Sequence, residues 1–262
     1  MTRVRLDQLL VDRALAPSRA AAQALLLAGE VELAGAGSRT LKPGQLVDRE
    51  AQLSVVARRR WASRAGEKLE AALDAFEVDP TGLACLDAGA STGGFTDVLL
   101  ARAARIVYAV DVGRGQLLDR LARDPRVVSM ERTNLRALRH LPEPIDLATL
   151  DLSFTSLSRV LPAVGALLRG EGQVIALVKP QFEAGRDSVP RGGVVRDPAT
   201  HRDVLLQFGA DASAAGFSPT AVIASPIVGA GGNREFLALL RPGDGPAAQW
   251  STEVDRVAPS PV

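Results

Sequence analysis

The stretch Leu86-Asp87-Ala88-Gly89-Ala90-Ser91-Thr92-Gly93-Gly94-Phe95-Thr96 decides the fold. It joins a short apolar strand at 85–87 to a segment with helical spacing at 96–103. Glycines at such a joint let the backbone turn tightly and approach a ligand, and the following helix offers free N–H groups. The chain on either side keeps alternating. Helical spacing is read at 66–76, 116–122, 157–168 and 201–215. Strands are read at 106–110, 127–128, 145–150, 174–178, 221–224 and 236–240. This alternation predicts an α/β domain with a doubly wound, mostly parallel sheet. Ligands in such sheets sit at the carboxyl ends of the strands, near the point where strand order reverses.

The loop is not a G-x-G-x-x-G dinucleotide turn. Gly89 and Gly93 stand four apart, Asp87 precedes Gly89, and position 91 is serine. The form D-x-G-x-x-x-G resembles the S-adenosylmethionine loop of class I methyltransferases. That resemblance implies a Rossmann-like methyltransferase sheet, with Asp87, Gly89, Ser91, Gly93, Gly94 and Phe95 around the cofactor. Asp111 ends the strand at 106–110, about 20 residues past the loop, where a carboxylate accepts both ribose hydroxyls of an adenosine ligand. A nicotinamide dinucleotide would use such an acid too, and a turn or cap is the plain alternative. Asn134, after the strand at 127–128, is read either beside the adenine or in a turn. Ser91 and Thr92 bond the amino acid portion of the cofactor or cap the helix.

Composition narrows the field. The chain has 262 residues, 47% of them hydrophobic, enough for one large domain or a small one plus a medium one. One cysteine, Cys85, excludes a disulfide framework and a cysteine-rich metal site, and it falls in a buried strand where it is inert. With only His140 and His201, a multi-histidine metal centre and a Ser-His-Asp triad are unexpected, and His201 reads as a helix-start residue; no metal is expected. No apolar run reaches the roughly 18 residues that span a bilayer, and no signal-peptide core follows Met1, so the expectation is a cytoplasmic protein. Of 31 basic residues only three are lysines: Lys42, Lys68 and Lys179. Such a bias is genomic in origin, yet it marks the few positions where lysine chemistry is not exchangeable for arginine.

Charge is unevenly spread. Residues 1–60 carry a balance of +4 and the remainder −3, which suggests an appended module for a polyanion. Leu6, Leu9 and Leu10 give helical spacing over about 5–15. Ser18 is a cap candidate for a second helix at 20–28, Gly29 stops it, and short strands are read at 31–33 and 53–56. The segments Arg5-Leu6-Asp7-x-Leu9-Leu10, Ser18-Arg19-x-x-Ala22, Gly29-Glu30-Val31 and Lys42-Pro43-Gly44 resemble the S-four RNA-binding domain. The resemblance implies a small N-terminal α+β RNA-binding domain at 1–57, with Arg3, Arg5, Arg19 and Lys42 as phosphate contacts. Taken singly, each arginine reads as ordinary surface charge; it is the ordered pattern that favours the domain. Arg58-Arg59-Arg60-Trp61 opens a basic linker at 58–63 that touches nucleic acid or is solvated, with Trp61 stacking on a base or acting as a packing plug.

Four charged residues lie just outside the apolar segments of the large domain: Lys68 before the first strand, Asp151 and Lys179 after strands, and Glu235 ahead of the last strand. Singly, Asp151 and Lys179 each read as a strand-end charge turned to solvent, and Lys68 lies on the helix at 66–76. In order they resemble the K-D-K-E tetrad of the FtsJ-like RNA 2′-O-methyltransferases. The flanks 63–69, Asp151-Leu152-Ser153-Phe154, 177–183 and 231–236 resemble the TlyA branch, which joins an S-four domain to an FtsJ-like domain at 64–241. The proline-bearing tail, 242–262, falls outside the resemblance and is expected to be flexible. The resemblance implies an S-adenosylmethionine-dependent enzyme that methylates a ribose 2′-hydroxyl, a cytidine of ribosomal RNA or of a ribosomal subunit. In it Lys68, Asp151, Lys179 and Glu235 are catalytic, Asp151 also borders the cofactor, and Lys179 orients the hydroxyl and accepts its proton. Lys68 favours a neutral Lys179 amine, whereas Asp151 and Glu235 oppose it and serve to aim it. The arginine-rich stretch at 180–198 reads as a substrate-side loop or a mobile connection. The rival readings are an RNA-binding assembly factor without catalysis, a pore-forming haemolysin and a dinucleotide-dependent dehydrogenase.

Overall fold

In the computed structural model the described residues are 3–27, 29–34, 41–55, 60–185, 189–190, 192–245 and 248–258. Arg58, Arg59, Arg186 and Arg191 lie outside them. The chain divides into two compact units, residues 1–64 and 65–262. The boundary falls one residue beyond the linker read from sequence, so the described linker residues 60–63 belong to the first unit.

The first unit pairs β1 (Arg3–Arg5) antiparallel with β3 (Leu46–Asp48), and β2 (Val31–Leu33) antiparallel with β4 (Leu53–Val55). Two helices, α1 (Leu6–Asp12) and α2 (Arg19–Leu27), complete it. Leu6, Leu9 and Leu10 bury one face of α1 against Ala22 and Leu26 of α2, with Val31 and Val47 closing a small core. Ser18 acts as read: its hydroxyl accepts the Ala21 N–H at 3.2 Å. Gly29 ends the helix at φ +66°, a left-handed position that suits glycine. The strand β1 was not visible as a pattern because three residues are too few to establish alternation. Trp61 is buried and carries the Arg60 guanidinium over its face at 4.7 Å, so it behaves as a packing residue.

The second unit is built on a seven-stranded sheet. Its strands are β5 (Ala84–Ala88), β6 (Ile106–Val110), β7 (Val127–Met130), β8 (Ile145–Leu150), β9 (Leu168–Val178), β10 (Phe217–Ala224) and β11 (Phe236–Pro242), in the spatial order β10-β11-β9-β8-β5-β6-β7. Pairings from β9 through β7 are parallel, and β11 runs antiparallel between β9 and β10. The chain starts mid-sheet at β5, builds outward to β7, and returns to β8 on the other side of β5. The reversal of strand order therefore lies between β5 and β8. Helices α3 (Ala65–Ala75), α4 (Gly94–Ala101), α5 (Asp119–Ala122), α6 (Leu161–Gly165), α7 (Pro180–Glu183) and α8 (Pro198–Ala214) accompany the sheet.

Two helices read from sequence are shorter than expected. Residues 116–118 do not join α5 because the Leu118 N–H is drawn to the Thr92 carbonyl at 3.3 Å. The helix read at 157–168 breaks into a 3₁₀ turn at Leu157–Arg159 and the short α6, where Pro162 restarts the helix, while Leu168 already opens β9. The tail is a larger correction. Residues 250–257 form α9 (Trp250–Val257), whose Trp250, Val254 and Val257 are buried in the main core, so the 242–262 tail is not simply flexible. The Arg256 guanidinium donates to the Val222 carbonyl of β10 at 2.9 Å, and Arg202 of α8 pairs with Asp255 at 2.7 Å. The prolines that suggested a loose tail flank this helix and do not interrupt it. Trp250→Ala is expected to cost about 3 kcal/mol of stability, read as a lowered melting temperature; an unchanged one would mean α9 adds nothing to the core.

Candidate active site

Asp87, the acid of the glycine loop, is the fourth residue of β5 and fully buried. The Thr96 hydroxyl donates to its Oδ2 at 2.6 Å, whereas Oδ1 is buried with no protein partner. Burial pushes this carboxyl up to about 7; Thr96 opposes the shift and the carboxylate of Asp151 reinforces it. Between about pH 4 and 7 the folded protein thus keeps a proton that the unfolded chain releases. Stability contributed by the protonated group is full at low pH and is lost as pH rises through that window. Relative to Asp87→Asn, the wild-type melting temperature is expected to fall from about pH 5 to about pH 8. A constant difference between the two proteins across that range would contradict this assignment.

The glycines after Asp87 have specific reasons to be glycine. Gly89 has φ +86°, and a β-carbon there would stand 2.3 Å from the backbone oxygen of Asp151. Gly93 has φ +95°, and its β-carbon would meet the side chains of Leu117 and Leu121. Gly93, and not Thr92, occupies the N-cap position of α4. Gly94 opens α4 and is buried. Phe95, the next residue of α4, has its ring buried in the protein interior and offers its main chain at the helix start.

At the end of β6, Asp111 Oδ2 accepts the Ser91 N–H at 2.8 Å and Oδ1 accepts the Gly113 N–H at 2.6 Å. These bonds fix the carboxylate beside a small hollow lined by Ala90, Ser91, Gly113, Gln116 and Glu131. Each oxygen retains acceptor capacity for a hydroxyl. Asn134 caps a 3₁₀ turn, its Oδ1 accepting the Arg136 N–H at 3.0 Å, and it is exposed.

The tetrad resolves into two ion pairs. Lys179, only 7% exposed, follows β9; its Nζ lies 2.6 Å from Asp151 Oδ1, 2.9 Å from the Leu152 carbonyl and 3.2 Å from Ser153 Oγ. Lys68 Nζ, on α3, lies 2.5 Å from Glu235 Oε2, and Glu235 is 3% exposed. The antiparallel run of β11 explains how a residue preceding a strand reaches the carboxyl rim. Phe236 pairs with Val178, so Glu235 and Lys179 stand at the same end of neighbouring strands. Gly229 leaves the necessary room, because a β-carbon there would stand 1.9 Å from Glu235 Oε1. Asp151 joins the two halves of the site. Its N–H donates to the Ala88 carbonyl at 2.9 Å, its backbone oxygen abuts Gly89, and its carboxylate holds Lys179.

A buried acceptor left without a partner, a glycine cradle with no space for side chains and a fixed terminal carboxylate fit an adenosine ligand that carries an amino acid group. The sequence profile of the FtsJ-like methyltransferase family matches residues 61–241. The chain belongs to the FtsJ-like methyltransferase family. It is 46% identical over 245 residues to the 16S/23S rRNA (cytidine-2′-O)-methyltransferase TlyA of Mycobacterium tuberculosis, covering 91% of this chain and 90% of that one. Hemolysin A of Brachyspira hyodysenteriae is 38% identical, over 90% and 98% of the two chains. A solved structure from Streptococcus thermophilus, provisionally named a hemolysin, superposes with TM-score 0.75 at 40% identity over 98% and 96%. As an FtsJ-like methyltransferase the protein uses S-adenosylmethionine, which removes the dinucleotide reading of the loop. No helix among the described residues is long and apolar enough to cross a membrane.

Three neighbours of Lys179 escaped the sequence reading. Phe154 is 90% exposed, holds φ +62°, and lies with its ring centroid 5.1 Å from that of Phe182. Ser153 touches Lys179, and Glu183 anchors the turn around Phe154. All three lie in segments that drew attention for other residues, but exposure and a left-handed backbone leave no mark in sequence. Cys85 is inert as read, its thiol pushed up to about 12 by burial. His201 is buried early in α8, its Nε2 3.0 Å from the Val195 carbonyl. Asn233 binds the same segment, accepting the Val195 N–H at 3.0 Å and donating to the Gly193 carbonyl at 2.9 Å. The described end of the 180–198 stretch is therefore anchored beside Glu235.

In the first unit Arg5 and Arg19 converge on a buried carboxylate. Arg5 donates to both oxygens of Asp7 at 3.0 and 2.9 Å, Arg19 Nη2 lies 3.2 Å from Oδ2, and Gln23 donates to it at 3.0 Å. The Arg5 guanidinium holds the Asp7 carboxyl well below the usual range. About half of each arginine side chain faces solvent, and Arg3 and Lys42 are exposed.

Proposed function

We propose that the protein methylates a ribose 2′-hydroxyl of ribosomal RNA, on a cytidine. The observation that carries this reading is the bridging role of Asp151, which couples the cofactor loop to a buried lysine amine. When bound, S-adenosylmethionine supplies an electrophilic methyl carbon on a sulfonium. Asp87, Gly89, Gly93 and Asp111 hold it, with the backbone of Ser91, Gly94 and Phe95 at the loop and helix start. The protein must then fix one weak nucleophile in line with that carbon and take up its proton. Lys179 does the aiming. Its Nζ already faces Asp151, Leu152 and Ser153, and Ser153, at the longest distance, is the partner most readily exchanged for a ribose hydroxyl, whose proton only the neutral amine can accept. Lys68 and Glu235 compensate each other's charge beside it.

The 46% identity to a cytidine-2′-O-methyltransferase supports the substrate class. Phe154 supports a nucleoside substrate, since an exposed ring one residue past Ser153, which touches the amine, offers a base a stacking surface. The first unit supports RNA as the polymer: we assign it as an S-four-like RNA-binding domain, with Arg3, Arg5, Arg19 and Lys42 as phosphate contacts and Arg58, Arg59 and Arg60 extending them. The test is transfer of labelled methyl from S-adenosylmethionine to unmodified ribosomal RNA, followed by digestion to nucleosides. Label in 2′-O-methylcytidine is the expected result, and label confined to base-methylated nucleosides would refute the proposal.

A further inference from the structure

Glu183 closes the short helix that begins just after Lys179, yet it has no part in the tetrad. Its Oε2 accepts the Ser156 hydroxyl at 2.7 Å and its Oε1 accepts the Leu157 N–H at 2.9 Å. Ser156 Oγ in turn lies 2.9 Å from Ser158 Oγ. The turn from 152 to 158 is therefore held at two ends: Lys179 grips Leu152 and Ser153, and Glu183 grips Ser156 and Leu157. Between the two anchors stands Phe154, with its left-handed backbone and exposed ring. An aromatic residue keeps such a conformation only where neighbours over-determine it. The ring against it, Phe182, precedes Glu183 in the same helix, and Lys179 Nζ lies 5.9 Å from that ring.

We propose that Glu183 is a positioning residue for the substrate: by fixing the 152–158 turn it holds Phe154 where a nucleobase stacks while its ribose meets Lys179. This rests on the reading of the substrate as an RNA nucleoside. The test is steady-state methyl transfer to ribosomal RNA by the wild type, Glu183→Ala, Glu183→Gln, Phe154→Ala and the double variant Glu183→Ala/Phe154→Ala, with S-adenosylmethionine affinity measured by calorimetry. Glu183→Ala and Phe154→Ala are each expected to raise the KM for RNA about tenfold, with cofactor affinity within about twofold of wild type. The double variant is expected to match Phe154→Ala alone, because both changes remove one stacking surface. Glu183→Gln is expected to retain most of the wild-type KM: its amide oxygen still accepts the Leu157 N–H, and its nitrogen donates to Ser156 Oγ. An unchanged KM in Glu183→Ala, additive losses in the double variant, or an equal loss of cofactor affinity would overturn the proposal alone. Absence of methyl transfer to RNA by the wild type would overturn it together with the functional reading.

Discussion

Lys179→Arg is expected to lose at least about a thousandfold in methyl transfer while binding S-adenosylmethionine as the wild type does. The Nζ sits among Asp151 Oδ1, the Leu152 carbonyl and Ser153 Oγ, a pocket that fits a compact amine. A planar guanidinium is wider and cannot reproduce those three directions. It also holds its charge at any accessible pH, so it cannot take a proton from a hydroxyl. The residues proposed to hold the cofactor lie at the ends of β5 and β6, in the glycine loop and at the start of α4, and do not include Lys179. Methyl transfer and calorimetric cofactor binding, measured on the same preparation, separate the two effects. Near-normal turnover in the variant would make Lys179 a positioning charge and not the proton acceptor.

The second large effect concerns Lys68 and Glu235. Lys68→Met would leave the Glu235 carboxylate buried beside Gly229 without its counter-charge. Breaking a buried pair by removing one partner costs about 3–5 kcal/mol, because the surviving charge is uncompensated. For a unit of this size that is a drop of roughly 10 °C in melting temperature. The double variant Lys68→Met/Glu235→Gln removes both charges and is expected to recover most of the stability but none of the lost methyl transfer. Thermal unfolding and activity assays on the single and double variants distinguish these contributions. If the double variant recovered activity along with stability, the pair would be a structural element that happens to border the site.

The sheet was legible from the chain because its central strands are buried on both faces and so read as apolar runs. The strand Ile106–Val110 and the strand Ile145–Leu150 have the limits expected. The cofactor loop was legible because a backbone that passes within contact distance of Asp151 tolerates only glycine, and glycines are visible as letters. The pairing of the tetrad was not legible. Which lysine faces which carboxylate depends on β11 running antiparallel to β9, and nothing in Phe236–Pro242 states a direction. The tail was misread because α9 is stabilised by packing Trp250, Val254 and Val257 onto a distant core, a tertiary effect that flanking prolines obscure. Phe154 and Glu183 were missed because the exposure of one and the anchoring contacts of the other belong to a left-handed turn.

The scarcity of lysine gains a physical meaning from the same geometry. Two of the three lysines each face a carboxylate at the carboxyl rim of the sheet, and the third, Lys42, is exposed on the first unit. At the rim the buried space admits a compact ammonium, and the proposed chemistry needs an amine able to exchange a proton. Arginine satisfies neither requirement, whereas at exposed positions the two residues are nearly interchangeable.

The central claim is tested most directly by mapping 2′-O-methyl positions on ribosomal RNA from cells that contain the protein and from cells that lack it. The account predicts that at least one cytidine loses its 2′-O-methyl group without the protein, and regains it when the wild-type chain is restored but not when Lys179→Arg is. Identical maps from the two cell lines would contradict it.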